Sequence, residues 1–155
     1  MQLLLACLAV NVPAHAQSMA DFDRITKTLE LRIRALDASI RNVHQMEYHR
    51  DDLEANVAGY IVDEADRVIA SAGEVLTVGF IAKGMRCPDD FRYAQGHFAL
   101  VAGSFITTVD GNLEAVNRNL RSVTAPASLA EATKIRDLIV ELRGIVKPFA
   151  KSATD

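Results

Sequence analysis

Tryptophan is absent from this 155-residue chain, aromatic residues make up only 6 %, and there are no more than four prolines and two cysteines. With so few large rings, stability has to come from the packing of Leu, Ile, Val and Ala. Strong charge of one sign is missing too. The net charge is -3, and Lys and Arg are interleaved with Asp and Glu along the whole chain. A nucleic-acid partner needs a basic stripe to offset phosphate charge, so nucleic acid is set aside. No serine lies in a nucleophile elbow, no glycine loop could cradle a phosphate, and no strand pattern exists on which to build either, so no enzymatic activity is read. The spacings His-x-x-x-His, paired Glu-x-x-His and Cys-x-x-Cys-His are absent as well, which removes the usual signatures of di-iron and covalent haem bundles.

The first sixteen residues have the grammar of an export signal. An apolar run over 3–10 is followed by Pro13 and then by Ala14-His15-Ala16, the small-x-small pattern a signal peptidase accepts before Gln17. Eight apolar residues are too few to cross a hydrocarbon core that needs about 20. The expectation is a signal over 1–16 and one domain over 17–155, in the periplasm or outside the cell. Cleavage would remove Cys7, leaving Cys87 alone and excluding an intramolecular disulfide.

At 50 % hydrophobic and 24 % charged, the remainder has a globular composition. Apolar residues recur at steps of three and four in segments that predict helices over about 21–46, 52–83, 89–122 and 128–150. The first carries Phe22, Ile25, Leu29, Ile33, Leu36, Ile40 and Val43 on one stripe. The second carries Leu53, Val57, Ile61, Val68, Ala72, Val75 and Gly79, with Glu64 on the same stripe. Phe91, Ala94, Phe98, Val101, Phe105, Val109, Leu113, Val116 and Leu120 mark the third. Leu129, Ala132, Ile135, Ile139, Leu142, Val146 and Phe149 mark the fourth.

Boundary chemistry agrees with these segments. Asp51 and Glu54 have the spacing of a carboxylate capping box, and Ser128 with Glu131 forms a Ser-x-x-Glu box. Gly84 suits a left-handed C-cap, Pro88 a first helical turn, and Asp89 and Asp90 the positive end of the helix dipole. Pro148 should end or bend the last helix. At about 1.5 Å per residue the helices would be roughly 35 to 50 Å long. Short connections make neighbours antiparallel, so the expected architecture is all-α, an up-down-up-down four-helix bundle with heptad-type stripes.

The middle helices are more apolar than such a bundle requires. Between Val68 and Ala82 the only charge is Glu74, and from Ala94 to Val109 the only titratable side chain is His97. A helix that is apolar all round is normally buried all round, yet each helix of a four-helix bundle keeps one face outward. Gly59 and Gly73 lie two heptads apart, Gly96 and Gly103 one heptad apart. An interior glycine costs about 1 kcal/mol relative to alanine, so each needs a packing reason. Close backbone approach between helices two and three is one reason; a groove that receives something is another.

Gly73, Glu74, His97, Gly103 and Cys87 are therefore the candidate binding residues, with Glu74 and His97 able to pair across adjacent helices. Cys87 is either an ordinary loop cysteine or a free thiol open to intermolecular disulfide formation. The expected function is that of an exported, non-catalytic bundle without a cofactor, binding a protein partner or a small apolar ligand through helices two and three, with a homodimer and membrane contact as further partner classes. The competing reading is a metal- or haem-carrying bundle, with His44 and His49 as metal candidates and His97 or Cys87 as further ligands. A membrane-active helical hairpin is the third.

Overall fold

The computed structural model describes residues 19–47 and 53–150, all of them in helices or short connections, with no strand among them. Helix α1 spans Met19–Glu47, α2 Leu53–Gly84, α3 Pro88–Leu120 and α4 Pro126–Val146, followed by a single 3-10 turn at Lys147–Phe149. The signal over 1–16 and the Asp51 end of the first capping box lie outside the described residues.

The sequence stripes are the core. Phe22, Ile25, Leu29, Leu36, Ile40 and Val43 of α1 are buried, as are Ile61, Val68, Ala72 and Val75 of α2. From α3 come Ala94, Phe98, Phe105, Val109 and Val116, and from α4 Ala132, Ile135, Ile139, Leu142 and Val146. Helix α2 packs on α1 and α3, and α4 packs on α3 and α1, which closes a ring of four neighbours. The α1 and α3 backbones stay apart across the ring because Phe22 and Phe98 fill the space between them, their centroids 5.0 Å apart in an edge-to-face contact. Phe91 meets Phe22 at 5.7 Å and Phe149 meets Phe98 at 6.1 Å, so four of the six phenylalanines gather at one end of the ring.

Three helix boundaries differ from the sequence expectation. Helix α4 opens at Pro126, with Ala125 as its N-cap and no side-chain capping bond, so the Ser128–Glu131 capping box does not form. Proline supplies a fixed φ and lacks the N–H that would be orphaned there, and it starts the helix two residues early. Ser128 is then already helical and buried, and Glu131 pairs with Lys134 one turn on. Leu129, expected in the core, is exposed. Gly84 adopts no left-handed cap, since no described glycine has a positive φ. The Met85 N–H instead closes on the Ala82 carbonyl at 3.2 Å, and Cys87 extends with ψ at 131°. An extended residue is what a following proline requires, so Pro88 sets the bend that Gly84 was expected to make. Helix α3 ends at Leu120 rather than at 122.

Pro148 acts as expected. It has no N–H for the next α-helical bond, and the chain tightens into the 3-10 turn, closed by the Ala150 N–H on the Lys147 carbonyl at 3.3 Å.

At Gly79 helix α2 comes close to a side chain of α1. A Cβ there would lie 2.7 Å from the Thr26 Cγ2 of α1 and 3.4 Å from the Phe98 ring of α3. Thr26 is wholly buried, and its hydroxyl donates to the Phe22 carbonyl at 2.8 Å, which holds the methyl in place. At Gly59, Gly73 and Gly96 the same added Cβ would meet nothing within 4 Å. Close backbone approach between α2 and α3 therefore does not explain those three glycines.

Ion pairs tie the ring together at its surface. Asp23 near the start of α1 pairs with Lys83 in the last turn of α2, and Arg32 of α1 meets Glu141 of α4 at 2.9 Å. Arg143 of α4 grips Asp110 of α3 through two bonds, Nε to Oδ1 at 2.5 Å and Nη2 to Oδ2 at 3.2 Å. The bond from Arg143 holds the Asp110 carboxyl below the usual carboxylate range, and bonds from Lys27 and Lys83 do the same for Asp23. A depressed folded-state pKa contributes stability above the unfolded value of about 4, and that contribution is lost as pH falls through the folded value. Urea unfolding should show Asp110→Asn less stable than wild type at pH 7, with the gap closing below about pH 4. A gap that stays constant to pH 2 would mean that the carboxylate charge contributes nothing.

Candidate functional site

The outer side of the α2–α3 pair carries a groove of about 560 Å³, open to solvent and lined by Ala70, Gly73, Glu74, Thr77, Val78, His97 and Val101. Its position follows from helical spacing. Ala70, Gly73, Glu74 and Thr77 recur at steps of three and four on α2, and Ile81 continues the row one turn further. His97 and Val101 are one turn apart on α3, with Tyr93 and Leu100 a turn to either side of His97.

Part of the groove lining is apolar. Val78 is buried and Val101 half-buried. The same two helices expose Ile81, at 50 %, Leu100, at 63 %, and Tyr93, at 79 %. The hydroxyl in the lining is turned onto its own helix: Thr77 Oγ1 donates to the Gly73 carbonyl at 2.8 Å. With that donor satisfied internally, the groove offers one polar group fewer than its composition suggests. The surplus of apolar residues in the middle helices is thus visible as exposed side chains on the two helices that line the groove.

Three of the five candidate binding residues meet here. Gly73, Glu74 and His97 line the groove. Glu74 and His97 are both exposed and stand on different helices, but no ion pair joins them among the described residues. Gly103 is half-buried on α3 beyond the groove, and Cys87 is exposed at the N-cap of that helix, also outside it. Ala70, Thr77, Val78 and Val101 complete the lining and were not among the sequence candidates; helical steps of three back and four forward from Gly73 are the signal that finds Ala70 and Thr77, whereas Val101 lies on the stripe expected in the core. Glu64, the acidic residue on the inward stripe, is half-buried and accepts a bond from Arg67 at 2.9 Å.

The chain matches no family model, no curated protein and no solved structure. What the site can do rests on its geometry alone.

The metal candidates do not converge among the described residues, where no group of three or more His, Cys, Asp or Glu side chains could hold an ion. His44 is exposed in the last turn of α1, and His49 lies outside the described residues. The Asp23–Lys83 pair puts Cys87 at the opposite end of α1 from His44, about 30 Å away at the rise of an α-helix. No described helix is long and apolar enough to cross a membrane.

Proposed function

We propose that this protein is an exported, non-catalytic binding module, an up-down-up-down four-helix bundle whose α2–α3 face receives a protein partner or a small apolar ligand. One observation carries the reading: an open groove lined in part by Val78 and Val101, on two helices that also leave Ile81, Leu100 and Tyr93 exposed. Contiguous exposed apolar surface of this kind marks interaction sites in folded proteins, because water is released from it on binding. The alternating course of the helices is supported by two pairs. Asp23 at the start of α1 meets Lys83 at the end of α2, and Arg32 in the first half of α1 meets Glu141 late in α4.

A photo-crosslinking residue placed at position 100 tests the face in the protein's own compartment. Irradiation should give an adduct at position 100 and none at position 140, where Val140 is equally apolar but stands on α4. Absence of an adduct at 100, or equal yields at both, would remove the face from function. Export has its own readout. Mass spectrometry of the mature protein should find a chain beginning at Gln17, and recovery of the intact chain from the cytosol would overturn the signal assignment.

A further inference from the structure

Glu74 is the sole charge on α2 between Val68 and Ala82, and His97 the sole titratable group on α3 between Ala94 and Val109. Both border one groove and leave each other unpaired. Between them the groove is open over Gly73, where an added Cβ would touch nothing. An interior glycine with no neighbour inside its own chain is a cost without an intramolecular return. On α3 Leu100, one turn from His97, stands exposed.

From this we infer that the partner of the α2–α3 face is a second copy of this chain, related by a two-fold axis running along the helices. The inference rests on the binding-face reading above. Such an axis lays α2 of each copy over α3 of the other at the same height, so Glu74 faces His97 of the second copy, and symmetry repeats the pair. An imidazole N–H donates to a carboxylate, so each pair satisfies two groups that burial would otherwise leave bare. Leu100 of each copy enters the other's groove over Gly73. An axis across the helices would instead stack α2 on α2, where Glu74 finds no donor side chain bearing positive charge between Val68 and Ala82. Charge thus selects one symmetry. The size also fits: helices of 32 and 33 residues side by side present a face of roughly 45 by 20 Å, against the ~800 Å² per partner of a stable interface.

Sedimentation equilibrium of the purified full chain, with reductant present to exclude a Cys87 disulfide, should show a concentration-dependent dimer. Glu74→Lys and His97→Glu should each raise its dissociation constant at least about ten-fold, because the first removes the carboxylate that accepts the imidazole N–H and buries an ammonium in its place, and the second sets two carboxylates face to face. The swapped double variant Glu74→Lys/His97→Glu should bring it back to within a few-fold of wild type, with circular dichroism confirming the fold of all three. A monomer at every concentration overturns the inference, as does a dimer insensitive to both single variants or a swap that fails to restore. A monomeric chain that still forms a Leu100 adduct of another mass would sink the second copy and leave the binding face standing.

Discussion

Phe98→Ala is expected to destabilise the protein by about 3–5 kcal/mol. Phe98 is wholly buried and joins three elements: its ring meets Phe22 of α1 at 87° and Phe149 of the final 3-10 turn at 76°, both edge-to-face. Such pairs add about 0.5–1.5 kcal/mol beyond the area they bury. No tryptophan exists elsewhere to anchor the ring of helices, and the α1–α3 diagonal is filled by these phenylalanines. Helices of this length cannot shift inward at one end without disturbing packing along the rest, so the vacated space should persist as a cavity. Against a total stability of about 5–15 kcal/mol, the loss is a large share. Urea unfolding followed by circular dichroism is the measurement, and the thermal midpoint should fall by more than about 10 °C. A loss below about 1.5 kcal/mol would show that the cluster collapses around the gap and that the phenylalanines do not hold the helices apart.

Gly79→Ala should lower stability by about 1–2 kcal/mol, although alanine is the better helix former by nearly 1 kcal/mol. The new methyl would lie 2.7 Å from Thr26 Cγ2, far inside van der Waals contact. Thr26 cannot swing aside freely, because it is β-branched and its hydroxyl is bonded to the Phe22 carbonyl and, at 3.1 Å, to the Asp23 carbonyl. Thr26→Ser removes the obstructing methyl and keeps the hydroxyl. In that background Gly79→Ala should become neutral or stabilising, giving a coupling energy of more than about 1 kcal/mol in a double-mutant cycle. Gly59→Ala is the internal control: with open space at its Cβ, it should stabilise by up to about 1 kcal/mol. Additivity between positions 26 and 79, or equal effects at positions 59 and 79, would refute the close approach of α1 and α2.

The helix stripes were legible because burial of one face imposes a period on the sequence. Phe22, Leu29, Leu36 and Val43 repeat every seven residues and are all buried. Polar members of the same stripe were less legible. Thr26 and Ser39 are fully buried, Thr26 because its hydroxyl bonds its own helix, while the Ser39 hydroxyl has no partner in the structure. Helix ends were read less well than helix bodies. Two capping signals compete before α4, and Pro126 prevails over Ser128 because φ is already set there. At the candidate site, Gly73, Glu74 and His97 were legible as interruptions of an otherwise uncharged, larger-residue pattern. Gly103 shared that signal without sharing the groove, and Cys87, chosen as a lone thiol in the connection before α3, lies outside it as well.

Local pattern by itself determined that there are helices over these segments, which face of each turns inward, and that the middle two are more apolar than their burial needs. Those properties depend on residues three or four apart, within reach of one turn of backbone. Only tertiary structure decided that Gly79 meets Thr26, that Phe22 and Phe98 hold α1 and α3 apart, and that Glu74 and His97 border a common groove. Each of these is a distance between residues far apart in the chain, set by how whole helices slide and rotate against one another, and no short-range periodicity records it.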